Sequence, residues 1–293
     1  MPDVEQMLLE LPNGVEKIEI DLESHALAAL TTNAKAANHE LVLCVPGFTG
    51  SKEDYVAILP ALSAAGYKVI SIDQRGQYES KHSTQPGSFT LESLANDVVA
   101  IAKKFNQPVH LIGHSMGGLV AAKATLDEAE RFSSITLLCS GPGAIPKDRQ
   151  RNISAIRKGF PHTPLEVAWQ IIETEEKKAN PNKFTPEVWA FRKKRWMQNN
   201  PQALHETAAI LQDTPDLSGD LAKVLKNKNI PALVLTGEHD DIWPIPMQQE
   251  MAKTLSAQYV MVALAGHSPA RERPSETAAA LIDFFSKNES KGL

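Results

Sequence analysis

Long apolar runs and a strong excess of one charge are both missing from this sequence of 293 residues. No run of about eighteen apolar residues occurs, so no membrane span is predicted. The segment from Met1 to Glu5 has neither the basic nor the apolar region of a signal peptide, and we expect a cytoplasmic protein. A net charge of −5 and a pI near 6.0 provide no surface suited to a phosphate backbone, which argues against nucleic acid as a partner.

Cysteine is scarce as well. The two cysteines, Cys44 and Cys139, each lie in an apolar run, which is typical of buried reduced thiols and does not indicate a disulfide framework. His239, Asp240 and Asp241 could be read as metal ligands, but they are consecutive and include no spaced pair on a helix. The glycine-rich nucleotide motifs are absent too. We therefore predict neither a metal nor a cofactor.

What the sequence does contain is an alternation of short apolar runs with longer amphipathic stretches. This pattern predicts an α/β fold with a mostly parallel eight-stranded sheet and helices on both of its faces. The predicted strands are residues 15–21, 26–31, 41–45, 68–72, 109–112, 134–139, 232–235 and 259–264. The predicted helices of this core are residues 55–65, 91–105, 116–129, 246–255 and 275–286.

The pattern changes between the sixth and seventh strands. Helical spacing appears at residues 165–178, 186–197 and 202–211, and no strand is indicated. We predict a helical cap at residues 144–228 over a core of residues 1–143 and 229–293, since open α/β sheets bind ligands at the carboxyl ends of their strands. The basic run 192–195 is interpreted as a solvated helix face. The aromatic residues of this segment are expected mainly to pack its helices: Phe160, Trp169, Phe184, Trp189, Phe191 and Trp196.

The most informative segment is residues 109–118, in which an apolar strand, a Gly-x-Ser-x-Gly pattern and a helix start follow one another. Gly113 and Gly117 flank Ser115 at a tight turn from strand to helix, where the unusual backbone angles require small neighbours. Such a turn lifts the hydroxyl away from the sheet. Ser115 is therefore the predicted nucleophile.

A serine hydroxyl needs a base to remove its proton and a third group to orient that base. Asp240 and Asp241 both follow the seventh predicted strand, and His267 follows the eighth. His239 also lies near the acids, although it belongs to the same loop as they do. His267 is the preferred base, and position alone leaves both aspartates as candidates for the orienting acid.

Serine, acid and histidine occur here in the order used by the α/β-hydrolase superfamily, which this chain resembles over nearly its whole length. The family pattern Gly-x-x-Asp-x-x-x-Pro is matched by Gly237, Asp240 and Pro244. The resemblance therefore favours Asp240 over Asp241 as the acid. The family's Gly-His pair is matched by Gly266 and His267, and His239 has no matching position.

The resemblance also implies two backbone amides that would stabilise an oxyanion. One is Met116, directly after the nucleophile, and the other is Phe48, in the loop after the third strand. Pro46 stands where relatives commonly have histidine, but a backbone donor does not require that side chain. Residues 73–80 resemble the Asp-x-Arg-Gly-x-Gly-x-Ser turn, with Tyr78 in place of a glycine, and a structural role is implied for Asp73.

These features predict a serine hydrolase that cleaves a small-molecule carboxylic ester through an acyl-enzyme, with His267 as the base. A serine nucleophile argues against the dehalogenase and epoxide hydrolase branches, which use aspartate. Three alternatives stay open: hydrolysis of carbon–carbon bonds in ring-fission diketones, transfer to another acceptor or thioester cleavage, and a receptor for small molecules. Substrate identity, acyl chain length and oligomeric state do not follow from the sequence.

Overall fold

The computed structural model describes residues 4–33, 41–80, 87–181 and 184–288. Within these ranges eight strands form one sheet in the order β1-β2-β4-β3-β5-β6-β7-β8. The β1–β2 and β2–β4 pairs are antiparallel, and the other neighbours are parallel, which confirms the predicted sheet. The strands are β1 Val15–Asp21, β2 Ala26–Thr32, β3 Leu41–Val45, β4 Lys68–Ile72, β5 Val109–His114, β6 Phe132–Leu138, β7 Ala232–Gly237 and β8 Gln258–Val262.

Helices cover both faces of this sheet. The helices are α1 Val4–Leu9, α2 Leu59–Ala64, α3 Leu91–Ala102, α4 Met116–Asp127, α5 Arg151–Gly159, α6 Leu165–Ala179, α7 Pro186–Met197, α8 Pro201–Asp213, α9 Ser218–Lys228, α10 Ile245–Leu255, α11 Pro269–Glu272 and α12 Pro274–Asn288. One core cluster joins the sheet to α3, α4, α9 and α10, and the other joins it to α2 and α12. Within the described ranges, no helix is both long enough and apolar enough to cross a bilayer.

The central strand β3 shows why unbroken apolar runs predict strands covered on both sides. All five of its residues are buried. Leu41, Leu43 and Val45 pack into one cluster, and the alternate residues Val42 and Cys44 pack into the other. Because side chains alternate between the faces, each face receives its own apolar set.

Two predicted strands end too late. The sixth strand ends at Leu138, one residue before Cys139, which has a φ of 45°. The eighth ends at Val262, two residues before Leu264, which has a φ of 59°. Left-handed backbone breaks a strand, and neither residue type signals it because side chains other than glycine rarely adopt it.

Five helices of the described residues, α5 to α9, lie between β6 and β7, and the helical spacing in the sequence indicated α6, α7 and α8 among them. The helix α5 buries none of its residues and has only two large apolar side chains, Ile153 and Ile156, so its sequence is a weak signal of a packed helix. The four aromatic residues at the centre of this segment pack together as expected, with Leu204 among them: Phe160, Trp169, Trp189 and Trp196. The division into a core of 1–143 and 229–293 and a cap of 144–228 stays a prediction.

The solvated face predicted for the basic run 192–195 is wrong for two of its residues. The side chains of Arg192 and Arg195 are only 15% and 14% exposed. Arg192 pairs with Glu176, while Arg195 Nη1 donates to Asp54 Oδ1 at 2.6 Å. This second pair ties α7 to the turn that follows β3.

Replacing Arg195 with methionine should lower the free energy of unfolding by about 3 kcal/mol, because it removes the cation paired with the largely buried Asp54 carboxylate. The melting temperature should fall by about 5 to 10 °C. Lys194→Met is the matched control, since Lys194 is exposed on the same helix, and it should change the free energy by less than about 0.5 kcal/mol. Equal melting temperatures for the two variants would show that the Arg195–Asp54 pair contributes nothing to stability.

Candidate active site

Ser115 lies at a strained turn between β5 and α4. Its φ is 54°, in the left-handed region, and α4 starts at the next residue. A Cβ on Gly113 would lie 2.2 Å from the Gly117 carbonyl oxygen, and one on Gly117 would lie 2.3 Å from the Val45 carbonyl oxygen. Only glycine fits at either position. The Gly-x-Ser-x-Gly pattern is thus explained by the close approach of three backbone segments.

Three of the predicted site residues form a continuous chain of hydrogen bonds. The Ser115 hydroxyl lies 3.0 Å from His267 Nε2, and His267 Nδ1 lies 2.8 Å from Asp240 Oδ1. Ser115 and Asp240 are buried, whereas the His267 ring is partly accessible. With the imidazole protonated on Nδ1, the serine can donate to Nε2 and the ring can donate to the carboxylate. This arrangement can move a proton from the hydroxyl to the imidazole.

The Asp240 carboxylate is held by further donors. Its Oδ1 accepts from the Ile242 amide at 3.0 Å, and its Oδ2 accepts from Gln248 Nε2 at 2.8 Å. Burial acts to raise the pKa of Asp240, but the hydrogen bonds from His267, Ile242 and Gln248 outweigh it and keep the pKa below its usual value. Its neighbour Asp241 is exposed and lies outside this network. The carboxylate that faces His267 is therefore ionised and fixed in orientation.

The other nearby histidines have different surroundings. The His239 side chain is 65% exposed, and His110 is buried against Phe285. His114 donates its Nε2–H to the His267 carbonyl oxygen at 2.7 Å, so it connects the end of β5 to the loop that carries His267. Its partner is 153 residues away, and no sequence pattern indicates such a contact.

Stability should depend on pH through His114. Burial and the adjacent His267 together lower the pKa of His114 to about 4. The folded protein therefore keeps this ring neutral at pH values where the unfolded chain, with a pKa near 6.5, protonates it. This contribution is fully present above about pH 6.5 and is lost as the pH falls towards 4. Urea unfolding at pH 7.5 and pH 5.0 should show a loss of about 2 kcal/mol that His114→Gln lacks. His239→Gln should keep the wild-type pH dependence, and an identical slope in His114→Gln would contradict this assignment.

The segments that carry the two predicted oxyanion donors both adjoin the nucleophile: Met116 follows Ser115 directly, and Phe48 follows Gly47. Gly47 packs closely on the turn that carries Ser115, so that a Cβ on Gly47 would lie 2.9 Å from Ser115 Cβ. Among the described residues, the amides of Phe48 and Met116 have no backbone acceptor. The Phe48 side chain contacts the aromatic cluster of the segment between β6 and β7. These two amides stay the predicted oxyanion donors.

One group of side chains in the described part of the chain is close enough to share a metal ion. The ligand atoms of Cys139, Asp240 and His267 lie within 4.8 Å of one another. Burial raises the pKa of the Cys139 thiol well above its usual value, and the Asp240 charge raises it further. Metal ions bind the thiolate, so a protonated thiol is a poor ligand. The chemistry of this donor set does not favour a metal.

Several residues at the site were not predicted as part of it. Cys139 was expected to be an inert core residue, yet it contacts the acid. Trp243 stacks on His267 with a centroid separation of 6.4 Å and donates to the Gly143 carbonyl oxygen. Gln248 orients Asp240, and Gln77 donates to the backbone beside Phe48. Such contacts arise from packing between distant segments and leave no local pattern.

A family model and several known proteins match this chain. A family model described as the alpha/beta hydrolase fold matches residues 40–274. The chain is 26% identical over 276 residues to the uncharacterized hydrolase YugF of Bacillus subtilis, covering 84% of this chain and 90% of that protein.

Two solved structures are similar over most of their length. A thermophilic esterase from Thermogutta terrifontis has a TM-score of 0.73 and 24% identity, covering 94% of this chain and all of that one. An enol-lactonase from Burkholderia xenovorans LB400 has a TM-score of 0.75 and 18% identity, covering 92% of this chain and all of that one. At these identities the likeness concerns the fold, whereas the family model covers well over half of the chain. The chain therefore belongs to the α/β-hydrolase fold family.

Proposed function

We propose that this protein is a serine hydrolase that cleaves a small-molecule carboxylic ester through an acyl-enzyme. The observation that carries the proposal is the hydrogen-bonded series Ser115, His267 and Asp240 at a strained strand-to-helix turn. A strained backbone costs free energy, and such strain is concentrated at functional sites. Here it lies at a buried hydroxyl that is hydrogen-bonded to an oriented imidazole, which is the arrangement of an activated nucleophile.

In the proposed mechanism His267 Nε2 removes the Ser115 proton as the oxygen attacks the ester carbonyl carbon. The carbonyl oxygen becomes an oxyanion, which accepts hydrogen bonds from the amides of Phe48 and Met116. The imidazolium then donates its proton to the leaving alkoxide as the bond to the alcohol breaks. Water, deprotonated by His267, attacks the acyl-enzyme in the same way and releases the acid, restoring Ser115.

We assign the helices between β6 and β7 to a cap over this site. Three contacts support the assignment: Arg195 pairs with Asp54, the Asn200 amide donates to the Gly76 carbonyl oxygen at 2.8 Å, and Glu206 accepts from the amides of Gly87 and Phe89. These contacts reach the loops that follow β3 and β4, at the carboxyl ends of the strands. A cap in this position would set the size of the acyl and alcohol pockets.

The names of the relatives support hydrolysis in general, and they do not point to one particular substrate. YugF is named only as a hydrolase, while the structural neighbours are an esterase and an enol-lactonase, whose substrate classes both contain an acyl–oxygen bond. No observation in the structure favours carbon–carbon cleavage, acyl transfer or simple ligand binding over ester hydrolysis.

The test combines a fluorophosphonate probe with a chain-length series of 4-nitrophenyl esters. The probe should label one residue, which peptide mass spectrometry should place at Ser115, and labelling should stop ester turnover. The preferred chain length then measures the acyl pocket. A wild-type protein that neither hydrolyses these esters nor reacts with the probe would refute the proposal and make the diketone and receptor alternatives the next to test.

A further inference from the structure

We propose that Gln77 is a positioning residue that fixes the peptide between Gly47 and Phe48, so that the Phe48 N–H is turned towards Ser115. The inference rests on the proposed function, because it concerns the donor that would stabilise the oxyanion. It assigns a role to a side chain in the turn after β4, a turn that the sequence interpreted only as structural.

The orientation of the Gln77 amide is determined by its two partners. Its Oε1 accepts from the Gln74 backbone N–H at 3.1 Å, so this end of the amide must be the oxygen. Its Nε2 then donates to the Gly47 carbonyl oxygen at 2.8 Å. Gln77 is 6% exposed, so water does not readily replace this donor. The hydrogen bond is therefore both buried and directional.

Holding the Gly47 carbonyl also sets the direction of the Phe48 N–H. In a trans peptide the C=O and the following N–H point to opposite sides of the chain. The carbonyl faces Gln77, and Gly47 itself packs against Ser115. The Phe48 N–H is thereby directed away from Gln77, and because Gly47 packs on Ser115 we infer that this N–H faces the nucleophile. If this peptide rotated, it would place a carbonyl oxygen where the oxyanion forms.

The turn that contains Phe48 needs such support because it is strained. The Gly50 amide donates to the Gly47 carbonyl oxygen at 3.1 Å and closes a four-residue turn. Thr49, its third residue, has a φ of 57°, a value that a type II turn requires and that a β-branched residue rarely adopts. The strain favours other backbone conformations, and the Gln77 hydrogen bond opposes them.

Gln77 can act as a fixed point because its own turn is anchored. Buried Asp73 accepts from the Lys52 backbone N–H at 2.7 Å and from Lys52 Nζ at 2.9 Å, and it also accepts from the Glu79 amide at 3.1 Å. These bonds join the turn after β4 to the segment after β3. The two loops therefore behave as one rigid unit around Phe48.

Gln74 provides a matched control. Its Nε2 donates to the Pro46 carbonyl oxygen at 2.9 Å, so it holds the preceding peptide, whose N–H belongs to Gly47 and not to Phe48. Gln74 is also buried, at 2% exposed. Gln74→Met breaks one buried hydrogen bond, and Gln77→Met breaks two, because it also removes the acceptor of the Gln74 amide. Only the Gln77 change frees the peptide that carries the predicted oxyanion donor.

The experiment compares Gln77→Met with Gln74→Met on an ester that the wild type hydrolyses. We expect Gln77→Met to lower kcat by about 10- to 100-fold, less than the loss of a whole oxyanion donor because the Gly50 amide still holds the Gly47 carbonyl. KM should stay within about twofold. The affinity for a trifluoromethyl ketone, which forms a tetrahedral adduct with the serine, should fall by the same factor as kcat. Gln74→Met should lose less than about fivefold in kcat.

The possible outcomes distinguish failure of the proposed function from failure of the role assigned to Gln77. An inactive wild type that the fluorophosphonate probe does not label refutes the proposed function. An active wild type with a Gln77→Met kcat within twofold of it, or with equal losses in both variants, overturns the role of Gln77 and leaves the proposed function intact. Should Gln77→Met not fold, Gln77→Glu keeps the acceptor for the Gln74 amide and replaces the donor with an oxygen that repels the Gly47 carbonyl, so its kcat should fall at least as far. A Gln77→Glu kcat within twofold of wild type overturns the role of Gln77 as well.

Discussion

Replacing Ser115 with alanine should abolish fluorophosphonate labelling and lower kcat for an activated ester by a factor on the order of 10⁴ to 10⁶. The loss is large because the alanine variant has no atom that can form the acyl-enzyme, and the remaining groups can only polarise the ester for direct attack by water. Stability should change little, since the serine hydroxyl donates only to His267 and its backbone hydrogen bonds remain.

Ser268→Ala is the neighbouring-hydroxyl control for this measurement. Ser268 follows His267 in the chain and lines a small cavity beside His114, but its hydroxyl lies outside the hydrogen-bonded series. Its replacement should change kcat by less than about threefold. Turnover that survives in Ser115→Ala at more than a few per cent of wild type would show that the activity has another nucleophile or a contaminating enzyme as its source.

The fold could be predicted largely because its central strands are buried on both faces. An unbroken apolar run such as Leu41–Val45 is typical of a strand covered on both faces in an α/β chain. The ends of strands were harder to predict, since left-handed residues such as Cys139 and Leu264 stop them without a glycine to signal the change. The helix α5 was missed because it is short, strongly polar and buries no residue.

Some site residues could be predicted from local sequence patterns, and others depend on contacts between distant segments. Ser115, Asp240 and His267 follow strand ends in short patterns, and parallel strands bring such ends to one edge of the sheet, so the sequence was enough to bring them together. Gln77 and Gln248 act through amide groups that occur everywhere on protein surfaces. What makes them specific is the carbonyl or carboxylate they meet, and those partners are set by packing between loops.

The second large effect should come from Asp240→Asn, which should lower kcat by about 10⁴-fold with little change in KM. An asparagine can present its NH₂ group to His267 Nδ1, and the imidazole then carries its proton on Nε2. In that tautomer Nε2 cannot accept the Ser115 proton. The side chain volume is unchanged, so the loss reports the proton arrangement and not a cavity.

Asp241→Asn is the control that makes this result decisive. Asp241 is adjacent in the chain, carries the same charge and is exposed, so its replacement removes one negative charge near the site without touching His267. We expect less than a threefold change. If Asp241→Asn caused the large loss and Asp240→Asn did not, the loop would have to rearrange in solution to present the other carboxylate. If kcat fell about tenfold in both variants, the negative charge of the loop would matter more than the hydrogen bond from His267 Nδ1 to Asp240 Oδ1. The role assigned to Asp240 would then be wrong.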